Sequence, residues 1–434
     1  MPSPYIPNTD HDRTTMLRDI GAGSVAELFQ DVPEQFRNVP FNLPPPLTEL
    51  ELTEELRQLS RLNASLDDHA CFLGAGYYHH FIPGVVSHIT GRSEFGTAYT
   101  PYQAEASQGI LQATYEYQSL VCQLTGMEIS NAGLYDGSSA AAEAVLMASR
   151  ITGKKEVAVL STVNPGYREV IGTYVSGQDI TVHELKPDFK EMPDNYACLV
   201  VQQPNFFGCF EEVERYARLA HSAGALFIVI FDPISLGLLQ PPGNYSADIA
   251  VAEGQPLGNP INFGGPGLGI FTCRKEYLRQ MPGRLAGRTI DVEGQSGYVL
   301  TMATREQHIR RERATSNICT NEALVALAAT VYLAAMGKSG LRRVAELCYH
   351  KAHYAAEAIN KLKGYSLAFE SPFFKEFVIR CPMPPEKINQ ALLKEKIIGG
   401  LDVNHLVDKG MLLCVAEMNS RQEIDRLVSA LKTL

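Results

Sequence analysis

A continuous apolar run, Ala225-Leu-Phe-Ile-Val-Ile-Phe231, is followed directly by the acidic residue Asp232. Short apolar runs without polar alternation are typical of strands buried on both faces of a sheet. The strand candidates of this kind are Val157–Leu160, Ile180–Glu184, Cys198–Gln202, Leu226–Phe231 and Ile249–Ala252. Helix candidates lie around and between them, at Gln108–Thr125, Ser138–Thr152, Pro165–Ser176 and Glu211–Ala223. This alternation predicts a large α/β domain over residues 66–320, with a mostly parallel sheet covered by helices.

The flanking sequence predicts two further parts. Residues 1–65 read as an N-terminal helical arm, with helices after Thr9, after a capping box formed by Ser24 and Glu27, and over Thr53–Asn63. The proline-rich stretch 40–46 is expected to be an extended connection. Residues 321–434 predict a smaller α+β domain that begins with a long helix through a break at 337–340. Its later elements are expected at Phe377–Arg380, Pro385–Glu395, Met411–Val415 and Ser420–Leu431.

Composition excludes several classes of protein. The chain has 434 residues, of which 45% are hydrophobic and 20% charged, as in folded globular proteins. A net charge of −10 without a basic tract argues against nucleic acid as a partner. The longest apolar segments, 225–231 and 323–336, are shorter than the ~20 residues that span a bilayer. With no readable secretory signal, we expect a cytoplasmic protein without a membrane partner.

Two segments carry candidate cofactor-binding residues. Asp136-Gly-Ser138-Ser139 begins a helix, and hydroxyl and backbone N–H groups there suit a phosphate, although an ordinary N-cap is an equal alternative. Asp232, at the carboxyl end of a buried strand, is placed to hold a pyridinium N–H, as pyridoxal phosphate enzymes require; a simple strand-end turn is the alternative. Such a site needs a lysine nearby, yet the sequence between Lys190 and Lys275 contains none.

Other motifs favour structural roles. The glycine-rich segment 264–269 precedes a strand rather than opening a helix, so we interpret it as a turn and not as a dinucleotide-binding loop. The adjacent His79 and His80 lack metal-ligand spacing, and His350 and His353 lack a third ligand. The nine cysteines form no C-x-x-C pair. We therefore expect no metal site.

Several motifs together resemble the glycine decarboxylases, the P-proteins of the glycine cleavage system. The signature is Tyr99-Thr-Pro-Tyr102-Gln103 followed by Glu105-Ala-Ser107-Gln-Gly109. Further matching segments are Asn131–Gly137, Gln203–Gly208, Asp232–Gly237, Gly254–Gly258, Gly264–Pro266, Arg305–Arg310 and Ser316–Thr320. Some members of that family are split into two half-length chains, and this chain resembles the first half.

The resemblance implies the fold of type I pyridoxal phosphate enzymes, with the Schiff-base lysine on the second half. Aligned with that half, this chain has Gln255 at or beside the lysine position, so Asp232, Ser138 and Ser139 are expected to be vestigial. The implied partners are the lysine-bearing β subunit, which holds pyridoxal phosphate covalently, and a lipoylated H-protein. In the implied reaction the aldimine of glycine loses CO2, and its aminomethyl group passes to the lipoyl group.

Under this resemblance we expect five residues nearest the shared pocket: Tyr99, Tyr102, Gln103, Glu105 and Ser107. Two other roles stay open at this point. The chain could be a non-catalytic scaffold that stabilises the β subunit or docks the H-protein. It could also be a self-sufficient decarboxylase that uses a distant lysine such as Lys154 or Lys155.

Overall fold

A computed structural model describes residues 5–37, 39–96, 101–262, 264–318 and 321–434. The chain divides into two compact units, the first ending at Asn63 and the second beginning at Ala64. The first unit contains helices α1 (Asp10–Ile20) and α2 (Glu49–Ser60), which begin at capping boxes formed by Thr9 with Asp12 and by Thr48 with Glu51. The capping box predicted at Ser24 is wrong, because its side chain makes no capping hydrogen bond and only a 3₁₀ turn, Val25–Phe29, follows.

The second unit is built on a seven-stranded sheet with the order β2-β8-β7-β6-β5-β3-β4, where β3 to β7 run parallel and β8 runs antiparallel to β7. Its strands are β2 (Ile129–Ser130), β3 (Glu156–Leu160), β4 (Thr181–Leu185), β5 (Tyr196–Gln203), β6 (Leu226–Phe231), β7 (Ile249–Glu253) and β8 (Gly269–Cys273). All six residues of β6 are buried, as their unbroken apolar pattern predicts. A hairpin, β9 (Leu285–Ile290) and β10 (Ser296–Thr301), follows the sheet.

Helices cover this sheet and continue into the C-terminal part. They are α3 (Gly84–Thr90), α4 (Gln108–Thr125), α5 (Gly137–Thr152), α6 (Pro165–Val175), α7 (Val213–Ser222), α8 (Gln307–Arg310), α9 (Ala323–Asn360), α10 (Pro385–Lys394) and α11 (Arg421–Lys432). Helix α9 is interrupted at Gly337, where φ is 59°. Although α9 is long and apolar enough to span a membrane, half of its most apolar window is buried within the protein, as in a core helix.

The C-terminal residues form a four-stranded antiparallel sheet in the order β11-β12-β15-β14. Its strands are β11 (Ser366–Leu367), β12 (Glu376–Arg380), β14 (Leu401–Asp402) and β15 (Gly410–Cys414). A separate parallel pair joins β1 (Ala70–Cys71) to β13 (Ile397–Ile398). The chain just after the first unit is therefore attached to the C-terminal part, and its Gly76 and Tyr78 line a cavity with Ile230 and Phe231 at the end of β6.

Candidate functional site

The candidate cofactor residues meet at the carboxyl edge of the parallel strands, where ligands of such sheets bind. Asp232 follows β6, and Gln255 follows β7. Asp232 and Glu253 line a small, partly open cavity of about 40 Å³. Ser138, at the start of α5, lies with Glu253 on an open cleft of about 550 Å³. Asp232 thus lies at the carboxyl end of a strand, as the sequence predicted.

Asp232 already has a cation as its partner. Its Oδ2 atom lies 2.7 Å from the Nζ atom of Lys375, a side chain that is only 1% exposed. Its Oδ1 atom accepts hydrogen bonds from the backbone N–H groups of Ile234 and Ser235, at 2.8 and 3.2 Å. The strand-end turn considered from the sequence is present, and both carboxylate oxygens are engaged. Lys375 thus already supplies the positive charge that a pyridinium N–H would bring to Asp232.

Two carboxylates occupy the N-terminus of α5. The Oδ1 atom of Asp136 accepts from the backbone N–H groups of Ser138 and Ser139, at 2.8 and 2.9 Å. The Oε2 atom of Glu253 accepts from the backbone N–H of Gly137, at 2.9 Å. Burial raises the pKa of Glu253 to about 7, despite the backbone donors that favour its ionised form. The N-cap alternative therefore describes this segment, and the Asp136 carboxylate lies where a phosphate was considered.

Gln255 is a buried structural residue, 1% exposed. Its side-chain oxygen accepts from the backbone N–H of Tyr78 at 3.0 Å, and its amide nitrogen donates to the carbonyl oxygens of Tyr78 and Asn259 at 3.1 and 2.7 Å. An amide nitrogen is not a nucleophilic amine, so no Schiff base can form at this residue. Gln255 instead joins residues 72–81 to the loop after β7.

The residues present do not fit pyridoxal phosphate. Pockets for ligands of that size usually enclose ~300–1,000 Å³, whereas the cavity beside Asp232 encloses about 40 Å³. The larger cleft carries Asp136, Glu253 and Glu322 on its walls, and these carboxylates disfavour a phosphate. Lys154 and Lys155 offer no substitute, because both directly precede β3 and so lie at the amino edge of the parallel strands, opposite Asp232. Their position argues against a self-sufficient site that uses either lysine.

A buried series of hydrogen-bonded side chains continues from Lys375. Its Nζ atom lies 3.1 Å from Nε2 of His80, and Nδ1 of His80 lies 2.6 Å from Oε2 of Glu417. Because an ammonium only donates, Nε2 is the acceptor and Nδ1 carries the proton given to Glu417. His80, Cys348 and Glu417 offer potential metal-ligand atoms within 4.8 Å of one another. In this protonation state, however, neither ring nitrogen of His80 has a lone pair available to a cation.

This hydrogen-bonded series predicts that the folded protein loses stability in mild acid. Burial, with the nearby Lys375 ammonium as a second cause, holds the pKa of His80 below its usual 6.5. The unfolded chain binds a proton at this histidine below that pH and the folded chain does not, so the free energy of unfolding falls as pH falls. Between about pH 7.5 and about pH 5.5, we expect the wild type to lose ~1 kcal/mol more than His80→Gln.

The measurement is urea unfolding of both proteins across that pH range. His405→Gln, which changes an exposed histidine, is the control and should follow the wild type. Equal pH slopes for the wild type and His80→Gln would show that His80 titrates alike in the folded and unfolded chains.

The segment expected nearest a shared pocket is described from Pro101 onward, and Tyr99 lies outside the described residues. Tyr102 is 55% exposed, and its hydroxyl accepts from the guanidinium of Arg284 at 3.3 Å. Its ring lies 5.2 Å from that of His308. Gln103 and Glu105 are exposed, whereas Ser107 is half-buried before α4 and makes no capping hydrogen bond. The segment thus presents polar groups at the surface of this chain, away from the Asp232 cavity.

Sequence reasoning missed the buried titratable side chains that organise this site. They are Tyr78, His80, Glu253, Lys375, Glu376 and Glu417. One signal was available for Lys375 and Glu376, which stand inside the apolar run Phe373-Phe-Lys-Glu-Phe-Val-Ile379. A charged pair at such a position is rarely buried without partners, and this makes it a candidate for a buried ion pair.

Comparisons with known proteins by family model, by sequence and by structure agree on one family. The family described as "Glycine cleavage system P-protein" matches residues 3–431. A Chlorobium limicola protein named probable glycine dehydrogenase (decarboxylating) subunit 1 is 52% identical, over 99% of this chain and 100% of its own. A crystal structure of glycine decarboxylase (P-protein) in inhibitor-bound form is 42% identical, with a TM-score of 0.95 over 99% of this chain and 100% of that chain. A C-DES variant with glycine linked to its PLP cofactor is 13% identical, with a TM-score of 0.60 over 85% and 97%, and shares the fold alone.

Proposed function

Because this chain belongs to the glycine cleavage system P-protein family, we propose that it is the subunit of a two-chain glycine decarboxylase that lacks the Schiff-base lysine. Its fold is that of type I pyridoxal phosphate enzymes, as the sequence predicted. In the proposed complex glycine loses CO2 and its aminomethyl group passes to the lipoyl group of an H-protein. Pyridoxal phosphate, held covalently by the partner subunit, supplies the electron sink for that reaction. This chain shapes and closes the pocket.

The observation that carries this proposal is the amide at Gln255. Its nitrogen donates to two backbone carbonyl oxygens and has no nucleophilic lone pair. Asp232 is paired with Lys375, and the N-terminus of α5 is capped by Asp136. A chain with these contacts needs a partner to supply the covalent centre. Tyr99, Tyr102, Gln103, Glu105 and Ser107 are the proposed contributions of this chain to the pocket of that partner.

Exposed apolar side chains in the first unit support a tightly bound partner. Large apolar residues stand exposed along and between its helices, including Ile20, Phe41, Leu43, Leu50 and Leu62. Exposed apolar side chains in such number mark protein interfaces. We propose that the lysine-bearing subunit covers them, in an obligate interface of more than ~2,000 Å².

The proposed function is tested by expressing the chain alone and with its lysine-bearing partner. With H-protein present, the complex should exchange the carboxyl carbon of glycine with bicarbonate, and the chain alone should not. Borohydride reduction followed by peptide mapping should place pyridoxal phosphate on a lysine of the partner only, because this chain has an amide at the corresponding position. A reduced adduct on any lysine of this chain, or full activity without the partner, would overturn the proposal.

A further inference from the structure

Lys375 is the counter-ion of Asp232 in the site formed by the candidate cofactor residues. It directly precedes β12 and is buried, with its Nζ atom 2.7 Å from Asp232, 3.1 Å from His80 and 3.5 Å from the centre of the Tyr78 ring. The three ammonium hydrogens thus face a carboxylate, an imidazole lone pair and an aromatic face. Each is a favourable partner for a buried cation.

We propose that Lys375 is the built-in replacement for the cofactor in this chain, and that the buried series Asp232–Lys375–His80–Glu417 locks the site closed. The role of Lys375 as a replacement for the cofactor rests on the proposed function, because it assumes that pyridoxal phosphate belongs to the complex. The lock, meaning the series from Asp232 to Glu417, is formed by residues of this chain alone. It predicts that restoring a lysine at position 255 does not restore a cofactor site.

Charge explains why the lock excludes a pyridinium ring. A pyridinium N–H would need the same Asp232 carboxylate that the Lys375 ammonium holds, and two cations on one buried carboxylate repel each other. Burial is the largest single influence and lowers the pKa of Lys375, but the surrounding groups, Asp232 first among them, together keep that pKa above its usual value. Lys375 is therefore a cation at all physiological pH values.

The lock also joins three separate parts of the second unit. Asp232 follows β6 of the large sheet, Lys375 precedes β12 of the C-terminal sheet, and His80 belongs to the segment between β1 and α3. Glu417, after β15, accepts from His80 Nδ1 and from the backbone N–H of Phe81, both at 2.6 Å. Every side chain in the series has a partner, which is the condition for a buried ionic network to stabilise a fold.

Removing one member should be more damaging than removing the pair. Lys375→Met leaves the Asp232 carboxylate, whose side chain is 12% exposed, without a cation, so we expect Tm to fall by ~3–5 °C. The double variant Asp232→Asn/Lys375→Met removes both charges and should regain at least about half of that loss. Lys387→Met, at an exposed position on α10, is the matched control and should leave Tm unchanged.

The second arm uses Gln255→Lys in the complex with the partner subunit. After incubation with pyridoxal phosphate and borohydride reduction, peptide mapping should find the partner labelled and no labelled peptide from this chain. A labelled peptide that contains position 255 would overturn the exclusion of the cofactor. A double variant no more stable than Lys375→Met, or a Lys375→Met protein as stable as the wild type, would overturn the lock. The labelling and the stability measurements are both independent of whether the complex decarboxylates glycine.

Discussion

Tyr102→Phe is expected to slow glycine decarboxylation by the two-subunit complex ~10²–10³-fold, the usual loss when one donor to developing charge is removed. Glycine has few atoms to bind, so the proposed pocket must hold it through a few well-placed donors. Pro101 restricts the backbone just before Tyr102, and a donor ordered in advance binds with little further loss of entropy.

The surroundings of Tyr102 support this expectation. Arg284 donates to the hydroxyl oxygen at 3.3 Å, and its guanidinium carbon lies 5.5 Å from the ring centre. Among the described residues no acceptor takes the hydroxyl proton in return, so that proton can be donated outward. The ring is 55% exposed, which places the hydroxyl within reach of a partner chain. Arg284 therefore orients the phenol and strengthens it as a donor.

The measurement is the initial rate of CO2 release at saturating glycine and H-protein. Tyr354→Phe is the matched control, because that tyrosine donates to Asp425 on a different surface and should retain normal turnover. Subunit association is followed in parallel by gel filtration. If Tyr102→Phe keeps normal turnover and Tyr102→Ala only separates the subunits, this segment is an interface element and the scaffold role gains support.

Gly208→Ala is expected to lower the free energy of unfolding by ~2–5 kcal/mol. Gly208 has a φ of +83°, in the left-handed region that a residue with a Cβ adopts only at a cost. A Cβ at this position would also lie 1.9 Å from the backbone oxygen of Glu376, which cannot move without displacing β12. Both effects act in the folded chain, and the close approach joins the loop after β5 to the lock region.

Thermal and urea unfolding of the purified complex measure this effect. Gly172→Ala is the control, since Gly172 lies within α6 and an added Cβ would meet no atom within 4 Å. There alanine should stabilise the helix by ~0.5–1 kcal/mol. A Gly208→Ala protein as stable as the wild type would mean that the loop after β5 can move away from β12.

The sequence predicted the main elements of the second unit to within a few residues. Leu226–Phe231 and Gln108–Thr125 have the predicted bounds, and the glycine-rich segment 264–269 is a turn before β8. At that turn the backbone passes so close to Asp136 that a Cβ on Gly267 would lie 3.0 Å from its Cβ. The helix predicted over Thr53–Asn63 begins earlier, at Glu49, because Thr48 provides the cap.

Local sequence alone determined the strands and the helices, because periodicity, capping and turn chemistry act within a few residues. It also showed that no lysine lies between Lys190 and Lys275. Only the tertiary structure decided what replaces the cofactor. Asp232 receives its cation from Lys375, and the N-terminus of α5 receives a second carboxylate from Glu253, both from distant parts of the chain. A buried charge must have a partner, but no local pattern specifies which one, since that pairing depends on how sheets and loops pack around the desolvated group.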